Sequence, residues 1–406
     1  MNKKLRDKMK KVVIVWELGA DLGHINRLLP LADALRKSDC EVIFILRDLS
    51  RAQKTIGRYG YDLLQAPLWL PMSRTAPNPP RSYPEILLHY GYQSAHGLLG
   101  VLRAWRKLFD YIQPDLMVFD YAPTAMLAAR GFSCPKATIG NGFFLPPKET
   151  PMPSFDDSGK ISRDRLLKSE GQVLNTINVC MRNMNLNPLE SFHHLFNVDE
   201  QFLCTLPELD HYRGRCGEEY WGCFDNNSNG IVPNWPSNER KRVFVYLKNG
   251  YRNKTALLDA LAKCGAYALI FSPDISNSLV NRYDSKNLIF SREPYCIEAT
   301  MSTCDLAICH AGHGTMAVAF SHNVPVLLAP LHTEQLIMAK NIKRLGRGEI
   351  IGPQHTSDDI EKQIEQLLRK SGGGDRVQDS FGCDSTQHTT STVDRVANRC
   401  LQLLKC

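Results

Sequence analysis

The sequence predicts an α/β protein built from two doubly wound parallel sheets. Its 406 residues exceed what one ordinary core accommodates and suit two domains. Short continuous apolar runs alternate with helical patterns, as expected when strands are buried on both faces. The alternation also comes in two series with a polar stretch between them, which implies two sheets rather than one.

The first series has VVIVW (12–16), EVIFIL (41–46) and DLMVFD (115–120) as strands. After the first strand Ile25, Leu28, Leu29, Ala32 and Leu35 recur at helical spacing. Pro30 makes the start of that helix uncertain, because proline suits a first turn and not an interior. The second series has strands at RVFVYL (242–247), YALIFS (267–272), DLAICH (305–310) and PVLLAP (325–330), with TALLDALAKC and TMAVAFSH as helices between them. The stretch 221–241 is rich in Asn, Ser, Pro and Gly and is expected to be the linker. The domains are therefore 1–220 and 242–385. A low-complexity loop at 371–392 precedes a last amphipathic helix within 386–406, expected to pack back on the N-terminal domain. Residues 63–100 and 141–155 combine prolines with large aromatics. Prolines exclude regular strands there, and long loops of this kind are often functional.

Hydrophobic content of 43% and charged content of 22% are those of a globular protein. The net charge of +7 is dispersed, and only the N-terminus MNKKLRDKMKK is a basic run. That run suits a solvated tail or peripheral contact with an anionic membrane surface. No apolar stretch reaches the length of a membrane span, and VVIVW is too short for a signal-peptide core, so a cytoplasmic location is expected. Thirteen scattered cysteines without a CxxC pair suggest reduced thiols.

The chemistry concentrates in CDLAICHAGHGTM (304–316). A strand ends near His310, Gly312 and Gly314 permit a tight turn, and Thr315 is expected to open a helix. Ligands of doubly wound sheets bind at the carboxyl ends of strands, and a helix N-terminus there suits phosphate. A plain turn or a metal site remain open on these residues alone, although adjacent residues rarely converge on one ion. Glu334 and Gln335 follow the next strand, and a carboxylate beside an amide suits neighbouring sugar hydroxyls.

The segment CHAGHGTMAVAFSHNVPVLLAPLHTEQLIMAKNIKRLGRGEII is similar to the donor-binding signature of the UDP-dependent glycosyltransferases of the GT-B fold, in particular the bacterial macrolide and lipid type. In order it has a His-x-Gly phosphate loop, a helix, a Val-Pro strand, an acidic-Gln pair, and an Asn and Gly further on. The resemblance implies two Rossmann-like domains facing across a cleft. It implies that His310, Gly312, Gly314 and Thr315 meet the donor diphosphate and that Glu334 and Gln335 meet the sugar. FSREPYCIE (290–298) sits where the family places its base-binding segment, which brings in Arg292 and Tyr295. Arg292 stands where many members have tryptophan, and Val318 where many have a ribose-binding glutamate. Asn323 replaces the usual glycine before Val-Pro, a mild change because Asn tolerates a left-handed backbone. Lys248 and Asn249, after RVFVYL, lie where another donor-side loop is expected. In the N-terminal half, ELGADLGHINRLLPLADAL resembles the family's loop after the first strand. His24 matches its general base and Asp120 the partner carboxylate. A histidine suits removal of a hydroxyl proton near neutral pH.

The expected function is an inverting transfer of a sugar from a nucleotide-sugar, a UDP-sugar by resemblance, to an acceptor hydroxyl. Neither a cofactor nor a metal is expected. Trp69, Tyr83, Tyr90, Tyr92, Phe143 and Phe144 suggest an amphiphilic acceptor, and sparse charge there speaks against nucleic acid. A nucleotide-sugar epimerase and a non-catalytic nucleotide-sugar-binding protein are the alternatives.

Overall fold

The structure is a computed structural model, and it describes residues 9–19, 23–156, 159–224, 230–236, 239–248, 250–283, 285–370 and 391–405. Part of the linker, the 371–390 stretch and the basic residues 1–8 lie outside the described residues. Two compact units emerge: Met1–Thr205 with Tyr212–Phe224 and Thr389–Cys406, and Leu206–His211 with Asp225–His388.

The first unit contains β1 (Lys10–Trp16), α1 (Gly23–Lys37), β2 (Cys40–Leu46), α2 (Leu49–Thr55), β3 (Asp62–Gln65), α3 (Tyr83–Leu88), α4 (Ala95–Ile112), β4 (Leu116–Asp120), α5 (Pro123–Ala128), β5 (Lys136–Gly140), α6 (Arg163–Asn183) and β6 (Glu200–Leu203). The second contains β7 (Arg242–Tyr246), α7 (Lys254–Lys263), β8 (Tyr267–Phe271), α8 (Asn277–Tyr283), β9 (Leu288–Ser291), α9 (Ile297–Met301), β10 (Leu306–Cys309), α10 (His313–Ser321), β11 (Val326–Leu328), α11 (Thr333–Arg344), β12 (Gly348–Ile350) and α12 (Ser357–Lys370). The last helix, α13 (Thr392–Leu403), belongs to the first unit.

The sheets run β3-β2-β1-β4-β5-β6 and β12-β11-β10-β7-β8-β9. Both are the same doubly wound order, and all their ladders are parallel. The order reverses between β1 and β4 in one sheet and between β7 and β10 in the other, so each unit has a switch point at the carboxyl ends of those strands. The central strands are apolar runs because helices cover both faces. Val12 to Val15 have no exposed surface, and neither have Leu306 to Ile308. The stripe Ile25, Leu28, Ala32 and Leu35 of α1 is buried in the same core as Val396 and Cys400 of α13. Full burial of one such aliphatic side chain is worth about 1.5–3 kcal/mol.

Two local expectations need correction. Helix α1 begins at Gly23 and carries Pro30 inside it. The buried stripe outweighs the one backbone hydrogen bond that proline cannot make. The Pro-rich stretches also hold more regular structure than their composition suggests. Pro84 sits in the first turn of α3, where its missing N–H costs nothing, and Ser82 caps that helix. Buried carboxylates then fix the loops. Glu85 takes both Arg165 nitrogens at 2.7 and 2.8 Å, and Glu170 accepts the Met152 N–H.

Candidate active site

The first switch point gathers His24, Asp120 and Arg27. Asp120 is the last residue of β4 and is fully buried. It pairs in register with Trp16, the last residue of β1. His24 comes from the first turn of α1, just beyond the end of β1. Its Nδ1 lies 2.9 Å from Asp120 Oδ2. A carboxylate there holds the ring proton on Nδ1 and leaves the Nε2 lone pair as the basic position. The ring is stacked on Trp16 at 5.1 Å and meets Phe144 at 4.9 Å, so its orientation is set by packing as well.

Gly19 keeps the place beside Nε2 free of a side chain. A Cβ at Gly19 would fall 2.5 Å from His24 Nε2, and the residue's φ of +89° is one that side chains resist. Tyr121, directly after Asp120, also lies in the left-handed region at φ 45°. Its carbonyl accepts the Leu18 N–H at 2.9 Å, which ties the Asp120 loop to the end of β1. Glu17 reinforces that tie. It is buried, and its Oε2 accepts the N–H groups of Thr124 and Ala125 at 2.8 and 3.1 Å. Burial pushes the Glu17 carboxyl up to about 7, against the lowering effect of its bonds to Thr124 and Ala125 and of Arg47.

Arg27 completes the site, although no sequence pattern marks it. Its Nη2 lies 2.5 Å from Asp120 Oδ1 and 3.4 Å from His24 Nδ1, and the guanidinium sits 5.5 Å from the centre of the Phe144 ring. Burial alone would raise the Asp120 carboxyl, but Arg27 and His24 outweigh it and hold the group below the usual carboxylate range.

The second switch point holds Lys248, after β7, and His310, after β10. His310 is buried. Its Nδ1 donates to the Ala329 carbonyl at 2.7 Å, and its Nε2 accepts the Lys248 backbone N–H at 2.8 Å. Both ring nitrogens are thus committed to the protein, which corrects the expectation that His310 itself meets a diphosphate. It joins the loops after β7, β10 and β11 instead.

The loop between β10 and α10 is also built differently from its sequence reading. The left-handed residue is Ala311, at φ 60°, not a glycine. Helix α10 begins at His313 with Gly312 as its N-cap, so Gly314 and Thr315 lie within the first turn and Thr315 is not the cap. A Cβ at Gly312 would have no neighbour within 4 Å, so the backbone is open there. Asn323 does take the left-handed conformation, at φ 53°.

Glu334 stands in the first turn of α11, partly exposed, with His211 Nε2 at 4.0 Å. The segment carrying His211 is held on α11 by Asn341, which donates to the Asp210 carbonyl at 3.0 Å. Gln335 is buried, and its Oε1 accepts the Leu331 N–H at 2.9 Å, so that oxygen is occupied by its own loop. Arg292 is exposed at the end of β9, bonded to the Ile275 carbonyl and to Asn277. It borders a cavity of about 330 Å³ with Val280 and Phe290. Tyr295 is a core residue against Phe244, not a surface contact, and Asn249 lies outside the described residues.

Of the aromatics, Tyr83 and Tyr92 have at most 1% of their surface exposed, which corrects their reading as acceptor contacts. Tyr83 packs on Phe196, and the Tyr92 hydroxyl is bonded to Thr124. Phe143 and Phe144 are buried around Tyr121. Tyr90 is half-buried. Trp69 is half-buried and lies over Gly91 and Gly97, where a Cβ would come within 2.6 Å of its ring. Leu70 and Met72 beside it are 83% and 92% exposed. Among the described residues no group of three or more His, Cys, Asp or Glu is arranged to hold a metal ion, and no helix is long and apolar enough to cross a membrane.

Residues 272–376 match the family model described as the glycosyltransferase family 28 C-terminal domain. The chain is 24% identical over 155 residues to the aclacinomycin-T 2-deoxy-L-fucose transferase of Streptomyces galilaeus. That alignment covers 36% of this chain and spans about a third of the relative, 35% of its length. Solved structures agree over nearly the whole chain. The glycotransferase of kitacinnamycin has a TM-score of 0.68 at 16% identity, covering 98% of this chain and 99% of its own. The glycosyltransferase VinC in complex with dTDP has a TM-score of 0.62 at 16% identity, covering 97% and 99%. The spinosyn rhamnosyltransferase SpnG complexed with spinosyn aglycone has a TM-score of 0.62 at 17% identity, covering 97% and 96%. The fold is therefore that of the GT-B glycosyltransferases, as the resemblance in the sequence implied.

Proposed function

We propose that this GT-B chain transfers a glycosyl group from a nucleoside diphosphate sugar to a hydroxyl of an amphiphilic acceptor, with inversion at the anomeric carbon. The observation that carries the reading is the buried His24–Asp120 pair, 2.9 Å apart at a switch point, with a glycine rather than a side chain beside Nε2. His24 Nε2 takes the acceptor's hydroxyl proton. The freed oxygen bonds to the anomeric carbon as the bond from that carbon to the diphosphate oxygen breaks, and the electron pair leaves with the diphosphate. Asp120 balances the imidazolium. The proton thus stays with the base, and no metal ion is assigned a step.

The diphosphate is assigned to the amides at the start of α10 beside Gly312, where no side chain intervenes. The sugar is assigned to Glu334 and the nucleoside to the Arg292 edge. UDP is the donor nucleotide by sequence resemblance, and thymidine diphosphate is its competitor because VinC was solved with dTDP. The acceptor is assigned to the Trp69 face with Leu70 and Met72, an apolar surface suited to a ring or alkyl skeleton that carries a hydroxyl. The experiment is calorimetric titration with UDP, dTDP and their sugar conjugates. Saturable binding of one nucleoside diphosphate series supports the donor site, and absence of binding by every member contradicts it.

A further inference from the structure

We propose that Arg27 is a positioning residue that tunes the base, by dividing the charge of Asp120 between two cations. The inference rests on His24 acting as the base. Arg27 lies one turn along α1 from His24, so both side chains leave the same helix face toward the end of β4. Asp120 thereby has one carboxylate oxygen on each: Oδ2 toward His24 Nδ1 at 2.9 Å, Oδ1 toward Arg27 Nη2 at 2.5 Å. A carboxylate serving histidine alone would favour the protonated ring strongly. Here a guanidinium nitrogen stands 3.4 Å from the same ring nitrogen and opposes that charge. Arg27 therefore draws on the same carboxylate as His24 and places a second cation beside the ring nitrogen. It also lies against Phe144, 5.5 Å from the ring centre, and Phe144 covers one side of the His24 ring. One side chain so fixes the carboxylate and the aromatic wall together.

Among the described residues, the other charged and titratable groups around the pair do not offset this. Glu17, from the end of β1, turns its carboxylate to the first turn of α5. Arg47 acts on Glu17, donating to its carbonyl at 3.3 Å. Tyr121, from the end of β4, stacks on Phe144. Cys204, after β6, is buried, and burial pushes its thiol far up, so it adds no charge. The wall from residues 141–146 contributes Phe143 and Phe144, which are uncharged.

The test is the ring titration of His24 in the full chain labelled with ¹³C-histidine, with His24→Ala assigning the resonance. Arg27→Met is expected to move the His24 midpoint upward by about one pH unit, the effect of losing a like charge within about 6 Å. Arg27→Lys, which restores the cation, is expected to bring it back toward the parent. Where Arg27→Met does not fold, Arg27→Gln takes its place. No upward movement in the uncharged variant, or the same movement in Arg27→Lys, overturns the inference. The titration needs neither donor nor acceptor. An upward shift in a protein that transfers no sugar would remove the proposed activity and leave the tuning intact. An unmoved midpoint in an active enzyme would remove the tuning alone.

Discussion

Glu17→Gln is expected to make the protein more stable at alkaline pH. Glu17 is fully buried, and its folded-state carboxyl is pushed from 4.5 up to about 7 by burial. A raised folded value means the folded state holds the proton more tightly than the unfolded chain does. The stability linked to that proton is complete below pH 4.5 and is lost as pH rises through 7. The difference of about 2.5 pH units corresponds to about 3 kcal/mol, at 1.36 kcal/mol per unit. Glutamine keeps an oxygen that accepts the Thr124 and Ala125 N–H groups, but it cannot ionise. At pH 8 the variant should exceed the parent by up to about 3 kcal/mol, and at pH 4.5 the two should nearly agree. For a unit of this size that is a rise of roughly 6–12 °C in the melting of the first unit. Scanning calorimetry of both proteins at pH 4.5, 6 and 8 measures it. An equal pH slope in parent and variant, or a variant less stable at pH 8, would refute the reasoning.

Two further outcomes concern the second unit. Gly312→Val meets no neighbour at its Cβ and needs no unusual backbone, so it should keep the fold at a cost of about 1 kcal/mol for the poorer N-cap, while nucleoside diphosphate affinity falls at least about tenfold, or about 1.4 kcal/mol, by calorimetry. His310→Ala should instead lower stability by about 1–3 kcal/mol in urea unfolding, because the Lys248 N–H and the Ala329 carbonyl lose their partners.

The parts legible in the sequence were those set by local pattern. β1, β4, β7 and β10 read as strands because burial on both faces demands continuous apolar runs. β3, β9 and β12 are short and half-exposed, so DLLQ or GEI carries no such signal. His24 and Asp120 were visible through a family pattern, but Arg27 was not, since its partner is 93 positions away. Aromatic content suggested a binding surface, yet composition does not say which way a ring faces. Tyr83 and Tyr92 turned inward, and Trp69 did not turn fully inward. His310 drew attention by its chemistry, but its role depends on a carbonyl at the end of the neighbouring strand β11, which only the fold brings near.

The central claim is that His24 removes the acceptor proton while the donor is bound elsewhere. It is tested by measuring donor affinity and transfer rate on the same preparations of parent and His24→Ala. Unchanged nucleoside diphosphate affinity and a transfer rate lower by roughly 10²–10⁴-fold are expected. Transfer by His24→Ala at the parental rate, with the same acceptor and donor, would contradict it.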